Sequence, residues 1–139
     1  MNQVLSMMGQ RHFPLSRRMS HWVDQVIGQG YSKYCTGDGW TPAVNLYEEP
    51  GQYCVVADLA GVSPEQVDLH ADNGVLVLRG ERAVPQLPEG CVATRVHLME
   101  IDHGRFCREI ELPGDVDVDR ISASYKNGYL WVRLPKKNA

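Results

Sequence analysis

The chain has 139 residues, the length of one domain with a core of its own, and 43% hydrophobic with 22% charged residues is an ordinary globular composition. A formal net charge of -3 at pH 7 leaves no basic footprint for nucleic acid. The longest apolar runs fall far short of a bilayer crossing, so stable membrane insertion is not expected.

Residues 1–39 differ in texture from the rest. Met1 to Gln10 reads as irregular. Arg11, Arg17 and Arg18 follow without a continuous apolar run before a small-residue cleavage site, so no secretory signal is expected. Ser16, after Pro14, is a candidate N-cap. Leu15, Met19, Trp22, Val23, Val26 and Ile27 then recur at helical spacing, with Arg17, Arg18, Asp24 and Gln25 between them. Gly28 and Gly30 end that amphipathic pattern. Such a helix either packs on its own domain or docks as an adaptable arm on other subunits or on clients, a use that suits methionine and aromatic side chains. From Gly28 to Gly39 the composition is that of a linker.

Strand texture begins at Trp40. Val44, Leu46 and Tyr47 lead to the turn Glu48-Glu49-Pro50-Gly51, and Gln52 to Asp58 forms the next run. Tyr53, Val55, Ala57 and Leu59 share one side of it. A turn follows from Ala60 to Glu65, where Ser63 stands ready to cap one helical turn opening at Pro64. Val67 and Leu69 continue an alternating strand into the tight turn Asp72-Asn73-Gly74. Val75 to Arg82 comes next. It sets Leu76 and Leu78 on one face and Val75 and Val77 on the other, so both of its faces should be covered.

Ala83 to His103 is a long connection containing Pro85, Pro88 and Gly90, within which Val96, Leu98 and Ile101 alternate. Connections of this length inside a compact domain are uncommon and usually functional. A strand on such an arm either folds back locally or reaches across to another chain, a low-cost route to dimers. Beyond it Phe106, Arg108, Ile110 and Leu112 share a face opposite Cys107, Glu109 and Glu111, and Pro113-Gly114 ends the strand. Ile121, Ala123 and Tyr125 on one arm and Leu130, Val132 and Leu134 on the other flank Asn127-Gly128, a strong hairpin signal. Seven to nine short strands with regular turns point to an all-β antiparallel sandwich of immunoglobulin type, preceded by a short helical arm.

Sites of chemistry are thin. Cys35, Cys54, Cys91 and Cys107 are scattered without the close pairing of a zinc site, and reduced thiols in a cytoplasmic protein are the simplest reading. His97 and His103 lie near Glu100 and Asp102, flanked by Cys91 and Cys107, but their loose spacing on a connection fits solvent-facing histidines better than a metal site. Cys54 and Cys107 sit on strands, where inert thiols are commoner than nucleophiles, and no cleft supports His97 with Glu100 as an acid–base pair. There is no Walker loop and no dinucleotide fingerprint. No catalytic, cofactor-binding or metal residue is therefore assigned. Lys136-Lys137 reads as a solvated tail. Arg108 is a charge among apolar neighbours. It either reaches water at a sheet edge or sits at a wet interface facing Glu100 or Glu81.

Several ordered motifs resemble the small heat shock protein family and its alpha-crystallin domain. Gly104, Phe106, Arg108, Leu112 and Pro113 match its Gly-x-Phe-x-Arg-x-aromatic-x-Leu-Pro run, with Ile110 in the aromatic place. Ala123, Asn127, Gly128 and Leu130 match Ala-x-x-x-Asn-Gly-x-Leu, and Leu134, Pro135 and Lys136 match its Leu-Pro-Lys ending. Asp58-Leu59-Ala60-Gly61-Val62 is similar to Asp-Leu-Pro-Gly-Val, and Leu76 to Arg82 resembles the stretch ending Gly-Glu-Arg before the exchange loop. The resemblance covers residues 40–136. It implies a variable arm over 1–39, an alpha-crystallin domain over 40–136 and a tail over 137–139.

The resemblance further implies an ATP-independent holdase that captures partly unfolded proteins. Its unit would be a homodimer in which the strand near Arg95–Met99 pairs with the partner's first strand near Thr41–Tyr47. Thr41, Val44, Leu46, Arg95, Val96, Leu98, Glu100 and Arg108 are the interface residues so implied. A groove lined by Val67, Leu69, Ile121 and Ala123 would receive an Ile-x-Ile-type tail segment from a neighbour. No such segment follows Leu134, so dimers or small irregular oligomers held by the arm are expected. The empty groove and the arm, through Leu15, Met19, Trp22, Val23, Val26 and Ile27, are then the client surfaces. The other class open to the same sandwich is a co-chaperone adaptor without holdase activity. CS-domain co-chaperones share the architecture, but lack the long exchange loop and the Gly-x-Phe-x-Arg run.

Overall fold

The structure is a computed structural model that describes residues 10–11, 34–37 and 39–138. The helix expected around Leu15 to Ile27 lies outside the described residues. Among the described residues there are eight strands: β1 Gln10–Arg11, β2 Val44–Glu48, β3 Gln52–Asp58, β4 Val67–Asp72, β5 Val75–Arg82, β6 Gly104–Glu111, β7 Ser122–Lys126 and β8 Tyr129–Pro135. They form two antiparallel sheets, one ordered β1-β7-β8-β3-β2 and one ordered β4-β5-β6. The sandwich read from the alternation is the fold.

Two tight turns set the register. Asn73 and Gly74 join β4 to β5 with φ of 51° and 77°, and Asn127 and Gly128 join β7 to β8 with φ of 54° and 85°. Positive φ at both central residues is what a two-residue hairpin matching the strand twist requires, and Asn-Gly supplies it with little strain. The turns seat Asp72 opposite Val75 and Lys126 opposite Tyr129. Because side chains alternate, that register sends every second residue inward. Val55, Ala57, Leu59, Leu130, Val132 and Leu134 from one sheet meet Leu69, Leu76, Leu78, Phe106 and Ile110 from the other in one continuous core. The single helical turns are 3-10, at Pro64–Gln66 and Val118–Arg120. Ser63 makes no side-chain cap at the first. At the second, Asp117 accepts hydrogen bonds from the Asp119 amide and, at 2.9 Å, from Arg120 Nε, and these hold its carboxyl below the usual carboxylate range.

Four expectations need correction. Residues 83–103 contain no strand in this single chain, because the alternating Val96, Leu98 and Ile101 have no neighbouring strand to pair with. Tyr34 to Thr36 is no loose linker, since Tyr34 is 3% exposed and packed on Val77. Cys35 and Cys107 are not reduced thiols: they form a disulfide across 72 residues of sequence, with Cα atoms 5.6 Å apart, inside the range a bridge requires. Lys136 is not simply solvated, because Lys136 Nζ donates to Glu48 Oε2 at 2.8 Å and lies 5.0 Å from the centre of the Tyr53 ring. The covering required for the outer side of β5 is present, and Tyr34 provides it over Val77.

Gly80 shows how tightly β5 and β6 are pressed together. A methyl group there would lie 2.2 Å from the Gln66 carbonyl oxygen and 2.5 Å from Phe106 Cζ. Gly80→Ala is expected to cost about 2 kcal/mol or more through overpacking, read as a lower denaturant midpoint at unchanged slope. An unchanged midpoint would show that the strands can part there freely.

Candidate functional site

The parts of the chain available to a partner follow from the way the sheets end. β2 is the outermost strand of its sheet, so one row of its backbone groups faces no strand, and such an edge is a template for pairing. Its side chains are exposed as well, Leu46 at 43% and Tyr47 at 49%. Thr41 is exposed just before β2, and Val44 packs partly against the core.

The 83–103 segment is exposed as well. Val92, Val96, Leu98, Met99 and Ile101 are each more than half exposed, with Val92 at 84% and Leu98 at 76%. Arg95 and Glu100 are exposed among them. Isolated apolar residues on a surface are ordinary, but a run of them on one irregular segment marks an interaction site.

The roots of this segment are fixed even though its middle is not paired. Arg82, the last residue of β5, donates through Nε and Nη2 to the Asp102 carbonyl oxygen at 3.0 and 2.6 Å, and through Nη1 to the Ala60 carbonyl oxygen at 3.1 Å. The same guanidinium lies 4.2 Å from the centre of the Trp40 ring. Trp40 Nε1 donates to the Gly104 carbonyl oxygen at 3.1 Å, and the Trp40 main chain exchanges hydrogen bonds with Arg105 and Cys107 along the free edge of β6. One planar cation thus fastens both ends of the long segment and the start of the strand region. Its fork geometry and its stacking on an indole are properties that lysine lacks.

The remaining anticipated residues fall in three places. Arg108 is half-buried, and its Nη1 donates to the Pro42 carbonyl oxygen at 3.3 Å. Neither Glu81 nor Glu100 pairs with it among the described residues, where Glu81 instead stands opposite Arg105. Leu69, Ile121 and Ala123 are buried in the core, with Val67 packed against them between the two sheets. The edge of β7 beside them is taken, because β1 pairs there with Gln10 opposite Ser124 and Arg11 opposite Ala123. The apolar arm residues lie outside the described residues.

Among the described residues no group of three His, Cys, Asp or Glu could hold a metal ion. Cys54 is half-buried, and burial pushes its thiol up, away from the thiolate a nucleophile needs. No helix among the described residues is long and apolar enough to cross a membrane.

The comparisons with known proteins agree with this architecture. The Hsp20/alpha crystallin family matches residues 45–139, and the chain belongs to that family. It is 40% identical over 95 residues to the 16.6 kDa heat shock protein of Oryza sativa subsp. japonica, covering 68% of this chain and 63% of that protein. It is 34% identical over 96 residues to heat shock protein 16 of Schizosaccharomyces pombe, covering 69% and 66%. The chain thus spans somewhat under two thirds of the length of these relatives. Among solved structures, hspA of Xanthomonas axonopodis superposes with a TM-score of 0.63 at 37% identity, covering 72% of this chain and 97% of that one. Heat shock protein 16.0 of Schizosaccharomyces pombe superposes at 0.60 with 33% identity, covering 71% and 90%.

The sequence alone pointed to the segment and to β2. It did not single out Arg82 as the fastening. The signal was its position as the last residue of an apolar strand, immediately before the long connection. Arg82→Ala is expected to speed amide exchange at Asp102 to Gly104 on the order of tenfold while leaving the β3–β8 core amides protected, and Arg82→Lys should not restore the slow rate. Unchanged exchange in Arg82→Ala would show that the segment is rooted by other contacts.

Proposed function

We propose that this protein is an ATP-independent molecular chaperone, a holdase that binds partly unfolded proteins and keeps them from aggregating. The observation that carries the reading is the run of exposed apolar residues from Val92 to Ile101 on a segment rooted firmly at both ends, together with the unpaired β2 edge. Membership of the Hsp20/alpha crystallin family and relatives named as heat shock proteins support a role under stress.

The working unit in this proposal is a homodimer. The stretch Arg95–Met99 of one chain becomes a strand by pairing with the partner's edge over Thr41–Tyr47, which brings Val96 and Leu98 onto Val44 and Leu46. Glu100 of each chain then lies within reach of the partner's half-buried guanidinium at position 108, giving that charge an acid, which it lacks among the described residues. Pairing of an extended segment with a free strand edge contributes main-chain hydrogen bonds, and alternate side chains contribute apolar burial. The domain limits proposed are an arm over 1–39, the sandwich over 40–136 and a tail over 137–139.

Client capture needs exposed apolar surface and no reacting group. Burying some hundreds of Å² of a client at about 25 cal/mol per Å² contributes several kcal/mol before ordering costs are subtracted, which favours weak, multivalent holding. The surfaces assigned to clients are the arm residues Leu15, Met19, Trp22, Val23, Val26 and Ile27 and the groove of Val67, Leu69, Ile121 and Ala123, which a client would enter by displacing β1 from the β7 edge. Dimers and small higher oligomers, a cytoplasmic setting, the absence of a cofactor and the absence of catalytic activity belong to the same proposal.

Mixed with a heat-denaturing client without ATP, the protein is expected to suppress turbidity at near-stoichiometric ratio. An adaptor without holdase activity would leave turbidity unchanged. The double variant Val96→Asp with Leu98→Asp changes side chains that are exposed in the single chain, so its fold should be intact. It is expected to weaken the dimer by at least about tenfold in sedimentation equilibrium. A dimer of unaltered strength would rule out strand exchange through this segment.

A further inference from the structure

The outer face of the β4-β5-β6 sheet carries a second packed cluster, separate from the sandwich core. Tyr34 and Val77 are buried at its centre, with Val75 and Cys107 packed against them. His70, opposite Val77 in register, is fully buried, and the Tyr34 ring stands edge-on to it with centroids 6.4 Å apart. The main chain at the same point is held by polar groups. The Tyr34 and Cys35 amides both donate to Glu109 Oε2, at 2.6 and 2.9 Å, and Arg79 Nη2 donates to the Tyr34 carbonyl oxygen at 3.3 Å. The disulfide from Cys35 to Cys107 completes the attachment.

Among the described residues, access to that bond is open. Cys35 and Cys107 are both half-buried rather than enclosed. A cleft of about 340 Å³ lies alongside, lined by Tyr34, Thr36, Arg79, Arg105, Phe106 and Cys107. Two arginines, Arg79 and Arg105, line it, and positive charge there favours the thiolate form of an entering thiol and a thiol that carries carboxylates. Cys107, not Cys35, lines the cleft, so an entering thiol approaches the bond from the Cys107 side.

We propose that the Cys35–Cys107 bond is a thiol-exchange latch. A small anionic thiol opens it, releasing residues 34–36 from the β5–β6 face and uncovering Val77 and His70. The thiolate of the small thiol attacks Cys107 Sγ and forms a mixed disulfide. The bond to Cys35 breaks, its electron pair stays on the Cys35 sulfur, and that sulfur takes a proton from water. A second thiolate attacks the mixed disulfide at the small-molecule sulfur, forms the small-molecule disulfide and leaves Cys107 as a thiolate that is then protonated. In sum, one protein disulfide and two small thiols give two protein thiols and one small-molecule disulfide. The reverse exchange closes the latch. Disulfides in reducing compartments are usually transient or sensing, which suits a bond that fastens a segment to a preformed face. The latch stands whether or not the chain captures clients.

The test uses the full chain carrying Cys54→Ser and Cys91→Ser, which leaves one cysteine pair. Samples are equilibrated with glutathione disulfide or with reduced glutathione. Intact mass is expected to show the oxidised sample lighter by two hydrogen atoms. Amide exchange at Tyr34 and Cys35 should be at least about tenfold faster in the reduced sample, with β3 and β8 amides unchanged. Adding Cys35→Ser should give the fast exchange under both conditions. Failure of the oxidised form to appear, or equal protection of both amides in the two samples, would overturn the latch.

Discussion

The structure depends on the closure of two inner sheet faces over one dry core. Leu59, Leu76, Leu78, Leu130 and Leu134 are each less than 2% exposed, and they come from both sheets. At roughly 1.5–3 kcal/mol for each such side chain removed from water, this face-to-face burial is the main favourable term in folding, and conformational entropy opposes it. It also dictates what cannot be buried. Once the inner residues are matched, β2 is left as a terminal strand, and the 83–103 segment is left outside with its apolar side chains in water.

That exclusion connects packing to association. The segment cannot fold inward, because the place its side chains would take is already filled from β5, β6 and β8. It does not extend the sheet beside β6, because the edge of β6 beside its root is occupied by the Trp40 main chain. The Arg82 guanidinium holds both roots to the body, and the exposed apolar residues Val92 to Ile101 lie between them. In the proposed dimer, apolar residues held off the body on fixed roots would meet another chain at little further ordering cost at the roots, and preorganisation of this kind strengthens weak pairing.

The two outer sheet faces are treated differently. On β5 the outward Val77 is fully buried because Tyr34 lies across it. Glu109 anchors that crossing through two amides, and the Cys35–Cys107 bond does so covalently. Tyr34, which falls within the stretch Gly28 to Gly39 that reads as a linker, is therefore a point at which the chain is attached to the sandwich. On the other sheet, Trp131 of β8 is 36% exposed and Cys54 of β3 is half-buried.

Local patterns made the sandwich legible. Alternation in Gln52–Asp58, Val75–Arg82 and Tyr129–Pro135, with Asn-Gly at two turns, determines strands and register through side-chain geometry alone, and Leu76 and Leu78 against Val75 and Val77 announced a strand covered on both sides. The ordered motifs from Asp58 to Lys136 likewise carried the family resemblance. Other features depend on residues far apart in sequence meeting in space. Cys35 and Cys107 are 72 positions apart, Tyr34 finds Glu109, Arg82 finds Trp40, and β1 finds β7. No periodicity or spacing records such meetings, because they arise only when the sheets close and bring remote strands to a common edge or face. The sequence by itself determined which residues point inward. Tertiary packing decided which edges stay open, what covers β5 and which cysteines become partners.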